Sequence, residues 1–92
     1  MESLTINGVT FNIGDTVAYT AEARKEAEEQ EWVEWGFITE EDLHREHKVV
    51  GFSHDINADG EHNIMLDHYD GETAAEWIRI IKKADDDDTR IQ

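Results

Sequence analysis

Val9-Thr10-Phe11-Asn12-Ile13-Gly14-Asp15-Thr16-Val17 sets two β-prone runs on either side of a Gly-Asp step. Gly14-Asp15 marks a bend or bulge where a strand begins, because glycine takes backbone conformations that other residues avoid. Beyond it, Ile13, Val17 and Tyr19 suit a strand with one buried face. Upstream, Leu4-Thr5-Ile6 and Val9-Thr10-Phe11 flank Asn7-Gly8, the strongest short signal for a tight hairpin.

Downstream, Thr20 is placed to cap a helix opening at Ala21. Residues 21–31 are rich in helix formers, but their apolar side holds only Ala23 and Ala27. The segment therefore reads as a short exposed helix or a mobile loop. Trp32-Val33-Glu34-Trp35-Gly36-Phe37-Ile38 reads as a strand. Parity puts Val33, Trp35 and Phe37 on its core face and leaves Trp32 on the other. Thr39-Glu40-Glu41-Asp42 has the pattern of an N-cap opening one helical turn. Lys48–Ser53 and Asn63–Tyr69 read as strands, with a loop at Asp55–Gly60 and a turn at Asp70-Gly71. The last segment is ambiguous. Thr73 and Glu76 form a capping box, with Ala74, Trp77, Ile78 and Ile81 on one helical face, yet Trp77–Ile81 is also a plausible strand. The strand reading is the one preferred here.

The chain has 92 residues, enough for one small core. Residues 1–84 read as a single domain, and 85–92 as an acidic flexible tail. Pro and Cys are absent, which removes disulfides, thiolate zinc sites and cysteine nucleophiles. No apolar run has the length of a membrane span, and no signal-peptide pattern opens the chain, so a cytoplasmic setting is expected.

The formal net charge is −15. Residues 22–47 hold 10 acidic and 3 basic residues, almost half of the excess. Phosphate backbones are bound by clustered Lys and Arg, which this chain lacks, so direct nucleic-acid binding and anionic membranes are disfavoured. The charge favours a basic partner.

The stretch from Val9 to Val17 resembles the opening of SH3-like and Tudor-like small barrels. Lys48–Ser53, Ile64–Asp67 with Asp70-Gly71, and the final apolar segment ending Lys82-Lys83-Ala84 also resemble that class, which is common among small bacteriophage proteins. The likeness spans residues 9–84. It implies a mainly β fold: a small SH3-like antiparallel barrel with a short acidic helical insertion. The acidic insertion at 20–31 departs from the pattern, as would a helix at 73–84.

Asp55-Ile56-Asn57-Ala58-Asp59-Gly60 matches the first half of an EF-hand loop, with Asp55, Asn57 and Asp59 as candidate oxygen ligands. The match fails at loop position twelve, where Leu66 stands in place of a bidentate Glu. His44 and His47 are three residues apart, and His54 and His62 flank one loop, but no complete zinc pattern exists. No nucleophile elbow and no Gly-rich phosphate loop is present, so no enzyme and no cofactor is expected.

The expected function is a non-catalytic acidic module that binds a basic protein, here a nucleic-acid-binding host protein. Its carboxylates would mimic nucleic-acid phosphates, in the manner of a phage-type inhibitor. Candidate contacts are Glu26, Glu28, Glu29, Glu31, Glu34, Glu40, Glu41 and Asp42, with Trp32 as an anchor. Two alternatives stay open: an accessory acidic-surface domain of a halophile or assembly, and a divalent-metal-responsive domain.

Overall fold

The computed structural model describes residues 3–84; the acidic segment 85–92 lies outside them. Asn7 and Gly8 both take positive φ, 52° and 80°, as a two-residue type I′ turn requires. They close β1 (Ser3–Ile6) onto β2 (Val9–Asn12), with Ile6 opposite Val9 and Leu4 opposite Phe11. Ile6 and Phe11 are buried, which fixes the register of this two-stranded ribbon.

A tight turn follows. Gly14 has φ +94°, and the Asp15 N–H donates to the Asn12 carbonyl at 3.1 Å. β3 (Thr16–Tyr19) begins only after this turn. Ile13 is therefore in the turn and exposed, not on a strand's buried face as its spacing suggested. Val17, Ala18 and Tyr19 are all buried, so β3 is covered on both sides.

α1 (Ala21–Glu29) starts where the sequence places it. The Thr20 hydroxyl accepts the Ala23 N–H at 3.0 Å. Ala23 and Ala27, four apart on one face, are buried. The helix stops in a Schellman motif: Trp32 N–H donates to the Ala27 carbonyl at 2.9 Å and Glu31 N–H to the Glu28 carbonyl at 3.3 Å. Glu31 occupies the left-handed position, φ 58°, that usually belongs to glycine. Relieving that conformation has a measurable outcome. Glu31→Gly should stabilise the protein by about 0.5–1 kcal/mol in urea denaturation, and a loss of stability would contradict the assignment.

This helix stop overturns the strand expected at 32–38. Trp35 N–H returns to the Glu31 carbonyl, Gly36 N–H to Val33 and Phe37 N–H to Trp32, at 2.9, 3.1 and 2.8 Å. The segment coils through successive turns and its parity carries no meaning. Trp35 and Phe37, expected in the core, are exposed, whereas Trp32 and Val33 pack against it.

α2 (Glu40–His44) is a short helix capped by Thr39, whose hydroxyl accepts the Asp42 N–H at 3.1 Å, and it is pinned by buried Leu43. β4 (His47–Ile56), β5 (His62–Leu66), β6 (Glu72–Thr73) and β7 (Ile78–Lys82) complete the sheet, with a 3₁₀ turn at Ala75–Trp77 before β7. The five-stranded antiparallel order is β6-β5-β4-β3-β7. β4 takes in Asp55 and Ile56, so the loop begins at Asn57. β5 ends at Leu66, so Asp67, His68 and Tyr69 leave the sheet. The C-terminal ambiguity resolves to a strand. Thr73 lies in β6 and its hydroxyl donates to the Ala74 carbonyl instead of capping a helix.

One continuous core joins both sheets and both helices, with Phe11, Val17, Leu43, Phe52, Ile64 and Ile78 among its buried members. The β5–β6 turn is tightly constrained. Gly71 is buried, and a Cβ there would stand 2.7 Å from the Leu66 carbonyl oxygen and 2.8 Å from that of His68. Backbone cannot yield as a flexible side chain does. Gly71→Ala should cost about 2 kcal/mol, read by chemical denaturation, and a loss below about 0.5 kcal/mol would show that the turn gives way.

Candidate functional site

The acidic residues singled out from the sequence divide into two groups. Glu28, Glu29, Glu31, Glu34, Glu40 and Glu41 are exposed, on α1, on the turns after it and on α2. Glu28, Glu34 and Glu40 meet around one shallow recess of about 140 Å³, beside Arg24 and His44. Glu26 is half-buried. Asp42 is occupied inside the fold, where its Oδ1 accepts the Arg45 Nε–H at 2.9 Å.

The structure adds aromatic residues that the sequence placed elsewhere. Trp35 is 71% exposed, Phe37 57% and Tyr69 91%. Phe37 and Tyr69 share a recess with Glu40 and Asp42, and Trp35 follows Glu34 directly in the coiled turn. Gly36, at φ +81°, was the one signal that the run did not continue as a strand. Tyr69 sits beyond the end of β5, where no parity argument reaches it.

Beneath this surface lies a buried polar network. His47, at the start of β4, is fully buried. Its Nε2 donates to the Asp42 carbonyl at 2.6 Å, and its Nδ1 is hydrogen-bonded to Asp67 Oδ1 at 3.0 Å. Burial alone would raise the Asp67 pKa. The His47 bond, the Lys48 amide and the Arg45 charge outweigh it and leave the carboxyl below its ordinary value. At Asp42 burial also raises the pKa, and the bonds from Arg45 and Thr39 bring it below the usual value.

Tyr19 OH donates to His68 Nε2 at 2.9 Å, and His68 Nδ1 donates to the Tyr69 carbonyl at 2.9 Å. Burial, and then the charge of Asp42, push the Tyr19 phenol up to about 12. The unfolded phenol loses its proton near pH 10, so this contribution to stability is present below pH 10 and is lost as pH rises towards 12. The rings of His47 and His68 lie 4.6 Å apart, with Tyr19 against both. Every bond of the network closes within the chain, and it ties α2 to β4 and to the β5–β6 turn.

Above Tyr19 and His68 opens a cleft of about 460 Å³. Trp32 and Trp77 line it as a perpendicular pair, with centroids 6.0 Å apart at 88°. Trp32 is half-buried here and packs against the core. Phe37 and Ile38 extend the apolar wall, and Asp59, Asp70, Glu72 and Glu76 supply carboxylates. Among the described residues, no lysine or arginine lines this cleft.

The half-loop with calcium-like spacing does other work. Asn57 Oδ1 accepts the Asp59 and Glu61 N–H groups at 2.9 and 3.1 Å, and its Nδ2 donates to Asn63. Asp55 is exposed at the end of β4. Among the described residues no group of three or more His, Asp or Glu side chains is arranged to hold a metal ion. His44 is exposed and pairs with Glu40 at 3.6 Å, while His47 is buried, so those two histidines do not converge. His62 Nδ1 donates to the Ser53 carbonyl at 2.9 Å. Among the described residues, no helix is long and apolar enough to cross a membrane. Comparison with protein-family models, curated proteins and solved structures returns no match.

Proposed function

We propose that this protein is a non-catalytic, phage-type inhibitory module. It presents an acidic face tipped with aromatic side chains to the basic surface of a nucleic-acid-binding host protein, where phosphates would otherwise bind. The observation that carries the reading is the exposure of Trp35, Phe37 and Tyr69 beside Glu34, Glu40 and Glu41. Large aromatics left in water are costly, and aromatic side chains recur as anchors of protein interfaces. The carboxylates around them add steering towards a cationic partner, with fast association that weakens in salt. We also read the domain as an SH3-like barrel. Support comes from the sheet order, which sets β3, the first of the five strands, beside β7, the last, and from the shifts of register along the long β4.

The test is capture from host lysate at low salt, with DNA as competitor. A nucleic-acid-binding protein displaced by DNA is the expected catch. Trp35→Ala should then weaken its binding about 30-fold while shifting stability by less than about 0.5 kcal/mol. Joint reversal of Glu28, Glu29 and Glu31 to Lys should abolish binding. Unchanged affinity in both variants, or capture that DNA does not displace, would remove the proposal.

A further inference from the structure

We propose that the cleft walled by Trp32 and Trp77 seats an arginine side chain of the partner; this rests on the reading of that partner as a basic protein. Three observations converge on a planar organic cation. The two indoles stand at right angles, 6.0 Å apart, so they form a corner in which a flat cation can lie against aromatic surface. Asp59, Asp70 and Glu76 line the same cleft and have no cationic partner among the described residues. The volume, about 460 Å³, accommodates a long side chain with its flanking backbone.

The loop beside the cleft is already ordered. Asn57 holds the Asp59 amide at 2.9 Å, so that acidic residue is fixed in place before a ligand arrives. A compact ammonium is a strongly hydrated point charge. A guanidinium is flat, weakly hydrated and offers several donors at once, which suits aromatic walls combined with dispersed carboxylates. This cleft is distinct from the exposed Trp35, which does not line it.

The experiment uses the full chain labelled with 5-fluorotryptophan, whose three signals are assigned by single Trp→Phe variants. The probes are N-acetyl-arginine methylamide, its neutral isostere N-acetyl-citrulline methylamide, and tetramethylammonium. The arginine probe should move the Trp32 and Trp77 signals saturably and leave Trp35 in place. Citrulline should bind at least about tenfold more weakly. Glu76→Gln and Asp59→Asn, both at exposed positions, should each weaken the arginine response several-fold with the fold intact. No saturable shift, an equal response to citrulline, or tighter binding of tetramethylammonium overturns the assignment. Because the probe is a small molecule, the result stands apart from partner capture. An arginine response with no basic partner caught would sink the function proposal and leave the site. A Trp35-dependent partner with a silent cleft would do the reverse.

Discussion

Asp15→Ala is expected to remove about 4 kcal/mol, enough to unfold much of a domain this small. Asp15 is fully buried, and its carboxylate has three partners. Oδ2 accepts the Asn12 N–H at 2.8 Å and the Lys83 ammonium at 3.0 Å, and Oδ1 accepts the Ala84 N–H at 2.7 Å. Alanine strands two amides and a partly buried cation. Asp15→Asn keeps the shape and should lose about half as much, so the two variants together separate the charge from the bare hydrogen bonds. Equal stability of wild type and Asp15→Asn in urea would show that the Lys83 pair contributes nothing.

The pH dependence follows the same group. Burial acts to raise the Asp15 pKa, and the Ala84, Asn12 and Lys83 bonds overcome it and hold the carboxyl below its usual value. A depressed folded pKa means stability that is complete above about pH 4 and is lost as pH falls through the folded value. Asp42 and Asp67 are shifted in the same direction. The protein should therefore unfold on acidification below about pH 4, with a shallower acid limb in Asp15→Asn.

His47→Ala is expected to cost about 4 kcal/mol, by a different route. The ring hydrogen-bonds through both nitrogens and packs against Tyr19 and His68, so its loss opens a core cavity, takes one partner from Asp67 and leaves the Asp42 carbonyl without its His47 donor. His47→Phe refills the volume without the bonds. It should recover about half of the loss if packing and polar contributions are comparable. A Phe variant as stable as wild type would assign His47 a packing role alone.

Much of this architecture was legible from local chemistry. The Asn7-Gly8 hairpin, the Thr20 and Thr39 caps, the buried Ala23–Ala27 stripe and the Asp70-Gly71 turn each follow from residues that admit few alternatives. What failed was parity. It assumes an extended chain, and residues 32–38 are bonded to themselves and to the end of α1. With Glu31 in the position where glycine usually announces a helix stop, the stop itself went unmarked, and Gly36 was the one signal left in the run. That one substitution hid the exposure of Trp35 and Phe37. The Trp32–Trp77 cleft was illegible for another reason: it joins residues 45 positions apart through the core, and no local pattern reports such a meeting. The Gly14-Asp15 step was read for its bend, while the Asp15 carboxylate binds a strand end at the far side of the sequence.

The pairing of β3 with β7 also governs when the protein can finish folding. Tyr19 lies opposite Ile78, and Thr16 opposite Lys82, so the strand made first in the sheet waits for the one made last. The hairpin, α1 and the β4–β5 pair use near neighbours and can assemble as the chain emerges from the ribosome. β3 keeps an open edge until residue 84 is available to meet Asp15. Contacts of such long sequence separation slow folding, to milliseconds or longer in β proteins of this size. Until then the nascent chain exposes an open edge of the apolar strand Thr16–Tyr19, and a chaperone that shields strand edges would find its substrate there.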